Sequence, residues 1–345
     1  MILIGLLIIA VGAFCQSSCY VPIRKIRQWS WESYWIVQGV FAWLVLPLLG
    51  AMLAVPQGHS LAELFGDAAP FSLWMTMAFG VLWGIGGLTF GLSMRYLGVA
   101  LGQSIALGTC AALGTVMGPV LLNLFFPETH PLHALTASVL IGVAATLVGI
   151  AIIGVAGSMK ASALSEEEKK KAVADFNFPK GIAIALLAGF MSGCFNVGLN
   201  FGAGINFGAA TDPMFRALPA IFLVTLGGFV TNAVYCFWQN TKNHTWGDYT
   251  RGGVAVLANN LLFCLLAGAL WYSQFFGLSL GQSFLVGSPA LLTLSFCILM
   301  ALNVVFSNVW GIILHEWQNC SRATVVVLVV GIAVLIFSCF LPQLI

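Results

Sequence analysis

Ten apolar stretches separated by short polar gaps fill this chain of 345 residues. A helix needs about 20 apolar residues to cross the roughly 30 Å hydrocarbon core of a bilayer. Only 7% of the residues are charged, against about 25% in soluble domains, so the chain cannot cover a water-facing surface. The sequence therefore predicts an all-α integral membrane protein with ten transmembrane helices. The predicted spans are 2–21, 33–55, 71–94, 100–126, 133–155, 181–207, 214–237, 252–276, 284–314 and 323–343.

Basic residues lie in alternate gaps between these spans. If the N-terminus is outside, all of the 13 Lys and Arg residues except Arg216 fall on the cytoplasmic side, which is the side that keeps such residues. We therefore expect a multi-pass protein of the bacterial inner membrane with both termini in the periplasm. The cytoplasmic linker would be 157–180, where Ser165 and Glu168 form a capping box for a short charged helix. The net charge of +2 reflects this orientation and is no sign of nucleic-acid binding.

Two segments of the chain resemble each other. Residues 97–108 read LGVALGQSIALG and residues 276–287 read FGLSLGQSFLVG. Because each half has five spans, a second copy would enter the membrane from the opposite side, as in the inverted repeats of many secondary transporters. This predicts a first five-helix repeat at 1–156, the linker, and a second repeat at 181–345. Such halves would support alternating access to a site between them.

The interior of the predicted spans is polar without being charged. No Asp, Glu, Lys or Arg lies near the centre of any span, whereas amides, hydroxyls and indoles do. Amides satisfy sugar hydroxyls and an indole covers the apolar face of a sugar ring, so this set suits a neutral polyhydroxylated ligand. Hydrogen bonding between helices is the simpler explanation for any single amide. The predicted substrate-binding residues are Gln16, Trp83, Asn196, Asn200, Trp271, Tyr272 and Gln274.

Proline residues also lie within the predicted spans. Pro119 and Pro289 are expected to interrupt the fourth and ninth spans, because each frees backbone carbonyls that something must satisfy. Broken helices often flank the sites of transporters.

Coupling to protons requires a group that changes protonation. The candidates at span ends are Glu32, which opens the second span, and His315 and Glu316, which close the ninth. Glu32 could instead simply favour the positive end of its helix. The sequence contains no HExxH or DxD string, so no enzyme, metal or cofactor is predicted.

Several strings are more specific than the apolar pattern. They are CYVPIRKIRQWSWESYW (19–35), LWGIG (82–86), FGLSMRYLG (90–98), WYSQFF (271–276) and HEWQN (315–319). At these motifs the chain resembles the L-rhamnose–proton symporter family, a branch of the drug/metabolite transporter superfamily. The resemblance implies a ten-helix carrier that imports L-rhamnose, or a closely related deoxy-sugar, together with protons. The alternative is a drug/metabolite-type transporter of amino acids or other small polar solutes.

Overall fold

The computed structural model describes residues 1–97, 99–129, 132–163, 178–313, 315, 317–318 and 320–344. Within these residues, ten helices are long and apolar enough to cross a membrane, which confirms the predicted all-α class and the number of spans. The helices are α1 (Ile2–Ser18), α2 (Trp31–Leu53), α3 (Pro70–Leu97), α4 (Val99–Phe125), α5 (Ala137–Ser162), α6 (Phe178–Phe201), α7 (Leu218–Lys242), α8 (Gly253–Ser283), α9 (Pro289–Ile313) and α10 (Arg322–Ser338).

The middle of α2 is a π-helix over Val40–Val45, between two α-helical segments. The backbone N–H of Leu46 donates to the carbonyl of Phe41, five residues back instead of four. Pro47 follows at once, and in an α-helix its ring would clash with the carbonyl four residues earlier. The wider π turn relieves this clash, so the sequence accounts for the irregularity.

The two prolines that the sequence singled out do not break their helices, so that prediction is wrong. α4 continues through Pro119. α8 extends to Ser283, beyond its predicted end at 276, and Pro289 is the first residue of α9. Proline is well suited to that first position, since its fixed φ is helical and its missing N–H would have no partner there. The predicted capping box of Ser165 and Glu168 lies outside the described residues.

The chain divides into two compact units. The first unit comprises residues 3–84 and 201–284, and therefore α1, α2, α7, α8 and the first part of α3. The second unit comprises residues 85–200 and 285–345, with the rest of α3, α4 to α6, α9 and α10. Each unit thus combines helices from both halves of the sequence. The assignment of inverted repeats to 1–156 and 181–345 stays a prediction.

Glycine allows helices of the first unit to pack backbone against backbone. A Cβ added to Gly84 of α3 would lie only 2.9 Å from the Cα of Gly228 on α7. A Cβ on Gly12 of α1 would lie 2.9 Å from the carbonyl oxygen of Ser273 on α8. Close approach of this kind favours dispersion contacts between apolar helices, where lipid removes the usual hydrophobic driving force.

The second unit packs α5 on α10 in the same way. A Cβ on Gly149 would lie 2.6 Å from the side chain of Leu335, and one on Gly331 would lie 2.6 Å from that of Ile153. The hydroxyls of Thr146 and Ser338 are 3.0 Å apart within this contact, so two buried polar groups satisfy each other.

Contacts between loops of the first unit join gaps that the charge pattern assigns to the same side of the membrane. The backbone N–H of Ser30, before α2, donates to Asp248, between α7 and α8, at 2.8 Å. At the other end of the unit, the hydroxyl of Thr211 donates to the carbonyl of Ala54 at 3.2 Å. Which of the two sides is cytoplasmic stays a prediction.

Candidate functional site

Three tryptophans of the first unit form the centre of the candidate site. Trp43 lies in the π turn of α2 and is only 3% exposed, Trp83 lies on α3 and Trp271 on α8. The ring centroids of Trp43 are 6.0 Å from those of both Trp83 and Trp271, and the latter two are 5.7 Å apart. We refer to these three residues as the indole cluster. It brings π faces and indole edges from both halves of the sequence together.

Two glycines make room for the indole cluster. A Cβ on Gly39 would lie 2.5 Å from the ring of Trp43, one helical turn further along α2. A Cβ on Gly228 of α7 would collide with the ring of Trp83. Both indoles therefore approach helix backbone through their Cε3 and Cζ3 atoms, and a methyl group at either glycine would push a ring out of the cluster.

A row of aromatic side chains leads from the surface to the indole cluster. Exposed Trp31 stacks on Trp35 at 5.3 Å, and Trp35 makes an edge contact with Trp43 at 5.6 Å. The indole N–H of Trp35 donates to the side-chain oxygen of buried Asn232 at 3.0 Å. The spacing of Trp31, Trp35, Gly39 and Trp43 by four residues places this row on one face of α2.

Polar atoms without partners lie on α2 and α8, which carry two of these rings, and on α1. Among the described residues of the first unit, four buried atoms on α1, α2 and α8 have no hydrogen-bond partner. We call them the orphaned atoms: Gln16 Oε1, Gln38 Oε1, Trp43 Nε1 and the hydroxyl oxygen of Tyr272. Gln274 differs, since its amide donates to the carbonyl of Trp271 at 3.2 Å. Indole faces beside hydrogen-bonding atoms can hold a ligand that has both an apolar ring face and hydroxyl groups.

The structure brings together some of the substrate-binding residues predicted from sequence. The first unit contains Gln16, Trp83, Trp271, Tyr272 and Gln274, and the rings of Trp83 and Trp271 are in contact. Their role as ligands stays a prediction.

Asn196 and Asn200 belong to the second unit. The amide of Asn196 donates to the carbonyl of Gly114 at 2.8 Å, and that of Asn200 donates to the carbonyl of Asn196 at 2.7 Å. The side-chain N–H groups of both asparagines are therefore hydrogen-bonded to helix backbone. Contact with a substrate by either asparagine stays a prediction.

Sequence reasoning missed Trp43 and Gln38. Trp31, Trp35 and Trp43 are separated by four and eight residues, and this spacing predicts a common helix face. Pro47 predicts an irregular turn just before it, which is the turn that contains Trp43.

A second polar region lies at the start of α2. We call it the carboxylate network; its members are Ser30, Glu32, Ser33, Asn240, Asn243, Thr245 and Asp248. Glu32 is 5% exposed and accepts from the amide of Asn243 at 3.0 Å and the hydroxyl of Thr245 at 2.8 Å. Asp248 is 4% exposed and accepts from the backbone N–H and the hydroxyl of Ser30, at 2.8 and 2.7 Å. Both carboxylates are thus buried among donors.

The donors determine the charge state of Asp248. Burial alone would raise the pKa of its carboxyl, but the N–H and hydroxyl of Ser30, the hydroxyl of Ser33 and the Arg251 guanidinium together hold that pKa below its ordinary value. Hydrogen bonds to the ionised form favour it. Asp248 is therefore a carboxylate at neutral pH.

The predicted proton-coupling residues fall in different places. Glu32 lies in the first turn of α2, which favours a negative charge, and it also belongs to the carboxylate network. His315 is exposed, with a φ of 61°, beyond the end of α9. Glu316 lies outside the described residues. The coupling roles of all three stay predictions.

Ten apolar helices among the described residues, with indoles and neutral amides buried among them, are those of a multi-pass membrane protein, and the family match assigns it to the transporters. The chain belongs to the L-rhamnose-proton symport protein family, whose model matches residues 1–344. It is similar to proteins called L-rhamnose-proton symporter from three bacteria. The identities are 30% over 344 residues for Mannheimia succiniciproducens and 32% over 348 residues for Cronobacter sakazakii, each covering 98% of this chain and 96% of the relative. For Salmonella paratyphi B the identity is 31% over 336 residues, covering 95% and 93%.

Family membership confirms the resemblance found in the sequence motifs. It places the chain among transporters and not among enzymes. A symporter of this family needs no cofactor, since the proton is a co-transported substrate.

Proposed function

We propose that this protein carries L-rhamnose together with protons across the bacterial inner membrane into the cytoplasm by alternating access. The observation that carries the proposal is the match of the family over residues 1–344, with relatives called L-rhamnose-proton symporter aligned along nearly the whole chain. These similarities favour a sugar over the amino acids or other small polar solutes of the alternative prediction. The basic gaps support an orientation with both termini in the periplasm and linker 157–180 in the cytoplasm.

The indole cluster is the part of the first unit that suits a deoxy-sugar best. Trp83 and Trp271 lie on different helices, are both half-buried and have rings tilted by 36°, and their indoles would pack against an apolar sugar face. Gln16, Tyr272 and Gln274 supply polar groups nearby on α1 and α8. A sugar without a charge needs no ionic partner, which agrees with the neutral side chains here.

Uptake measurements test the substrate and the coupling together. The full-length protein in liposomes, given radiolabelled L-rhamnose and an inward proton gradient, should accumulate the sugar above its external concentration. A protonophore should abolish this accumulation but leave downhill entry and exchange. A mixture of labelled amino acids is the control substrate and should not enter. Accumulation that survives the protonophore would contradict proton coupling, and entry of amino acids alone would favour the alternative.

Glu32 is our first candidate for the proton-sensitive group. We expect Glu32→Gln to abolish accumulation while sparing exchange, because the amide cannot carry the proton. Glu63→Gln is the matched control, since Glu63 is an exposed carboxylate in the short helix Leu61–Asp67. Accumulation by the Glu32 variant at the level of this control would shift the role to Glu316 or His315.

A further inference from the structure

The orphaned atoms are unusual because a buried polar atom normally has a partner. Desolvation without a replacement hydrogen bond costs free energy, and native proteins leave few such atoms. Gln38 is 2% exposed, and both its Oε1 and the Nε1 of Trp43 are sealed from solvent without a partner among the described residues. An acceptor and a donor are thus left unused on the same helix.

These atoms lie on segments that contact one stretch of α8, from Gly268 to Gln274. A Cβ on Gly268 would lie 3.1 Å from the backbone carbonyl of Gln38. Trp43 contacts Trp271, three residues further along α8. Gln38 and Trp43 therefore both belong to parts of α2 that pack on the same two turns of α8.

The other two orphaned atoms belong to the same region. The hydroxyl of Tyr272 lies against Gly50 of α2. Gln16 comes one turn after Gly12, which packs on Ser273 and Gln274. The orphaned atoms are thus carried by three helices, of which α1 and α2 both pack on the stretch of α8 that contains Trp271.

The backbone of α2 is irregular at the same place. Trp43 lies within the π turn Val40–Val45, and π turns inside α-helices are frequent at functional sites. Gly39, beneath the ring of Trp43, gives that ring its position. The π turn that Pro47 requires thus coincides with unsatisfied polar atoms, and such atoms cost stability unless a ligand uses them.

We infer that Trp43 and Gln38 bind the transported sugar directly: the indole N–H of Trp43 donates to one sugar oxygen, and the Oε1 of Gln38 accepts from one sugar hydroxyl. The inference rests on the proposed function and adds two ligands and their polarity to it. In this arrangement the side chains of α2 recognise the hydroxyl groups of the sugar, next to the rings of α3 and α8.

The test compares Trp43 with Trp35, its neighbour on α2. Trp43→Phe and Gln38→Met remove one orphaned atom each and keep an apolar side chain of similar shape. Trp35→Phe removes an indole N–H that is satisfied by Asn232. Each full-length variant is reconstituted in nanodiscs, and its affinity for L-rhamnose is measured by calorimetry beside its thermal unfolding temperature.

We expect Trp43→Phe and Gln38→Met to weaken L-rhamnose binding about tenfold or more. The unfolding temperature of Gln38→Met should stay level or rise, and that of Trp43→Phe should fall less than that of Trp35→Phe, because neither variant loses a satisfied hydrogen bond. Trp35→Phe should unfold at a lower temperature, with an affinity within about threefold of wild type. The Gln38 variant decides the matter alone if Trp43→Phe does not fold.

Monodeoxy analogues of L-rhamnose supply a second readout. The analogue that lacks the hydroxyl bound by Gln38 should bind wild type weakly, and Gln38→Met should weaken it no further. Equal binding of L-rhamnose by wild type and both variants would overturn the inference while leaving the proposed function intact. Analogue profiles shifted uniformly by each variant would overturn it as well. Failure of wild type itself to bind L-rhamnose would instead contradict the proposed function.

Discussion

Ser33 and Gln38 lie on the same helix, little more than one turn apart, and both are buried. The hydroxyl of Ser33 is 2.9 Å from Oδ1 of Asn240 and 2.9 Å from Oδ2 of Asp248. The Oε1 of Gln38 has no such partner among the described residues. The carboxylate network, to which Ser33 belongs, and the orphaned atoms thus place polar groups in opposite circumstances within one unit.

If the proposed sugar contacts hold, the difference separates groups that stabilise the fold from groups that bind a ligand. A buried polar network that is fully bonded makes its region rigid and well defined. The carboxylate network does this by joining the start of α2 to the segment after α7, through Ser30 and Asp248. Unpaired buried groups lower stability, and this cost is the basis of the sugar contacts that we propose for Gln38 and Trp43. Substitutions should therefore have opposite effects in the two regions.

The largest expected effect on stability is at Asp248. Asp248→Asn removes the charge that Ser30 and Ser33 donate to and directs an NH2 group toward donors. We expect the free energy of unfolding to fall by about 3 kcal/mol. Denaturant titration in detergent measures it, with Asp67→Asn, at an exposed carboxylate, as control. An equal response of the two variants would mean that the network does not hold α2 in place.

The same carboxylate predicts a dependence on pH. Because the pKa of folded Asp248 is below its ordinary value, its contribution is complete above the unfolded value near 3.9 and is lost as pH falls through the folded value. Between the two values the unfolded state binds more protons, so stability rises with pH. The difference in unfolding free energy between wild type and Asp248→Asn should stay constant from pH 7 to 5 and shrink below 4. A difference that shrinks already between pH 7 and 5 would contradict the lowered pKa.

The next largest loss of unfolding free energy is expected from a substitution at Asn260. Its side chain is fully buried, donates to the carbonyl of Arg27 at 2.8 Å and accepts from the N–H of the same residue at 3.0 Å. Asn260→Ala leaves two backbone groups unsatisfied, so we expect a loss of about 2 kcal/mol in unfolding free energy. Asn259→Ala is the control, because half-buried Asn259 bonds the carbonyl of Lys25 where water can replace it. Equal losses would show that burial does not decide the cost.

The amino-acid sequence was sufficient to predict the membrane helices. It was not sufficient to predict which buried polar groups have hydrogen-bond partners. Long apolar runs identify membrane helices because the bilayer requires internally bonded backbone over a fixed length. Trp83 and Trp271 were predicted to be substrate-binding residues, and the structure places their rings in contact. Their binding role stays a prediction. The end of α8 was misplaced, since FGLSLGQS has polar and small residues that suit either a helix or a loop.

The partners of buried polar groups depend on contacts distant in sequence. Glu32 bonds Asn243 and Thr245, more than two hundred positions away, so its surroundings cannot be derived from the WSWES string. Gln38 looks like any amide in a span until the absence of a partner for its Oε1 among the described residues is seen. Local patterns thus predict which residues are buried, and only tertiary contacts distinguish satisfied from orphaned groups.

The smallest expected loss of stability is at Ser33, which lies on the same helix as Gln38. Ser33→Ala removes a hydroxyl bonded to Asp248, which keeps the donors of Ser30, so we expect a loss of about 1 kcal/mol in unfolding free energy and little change in L-rhamnose affinity. Gln38→Met removes an orphaned atom, so its unfolding free energy should stay level or rise while affinity falls. For each variant, the unfolding free energy is measured by denaturant titration and the affinity by calorimetry, on the same preparation. If Gln38→Met were the less stable variant, Gln38 would have a structural partner in the membrane-embedded protein, and the contrast between the two regions would be wrong.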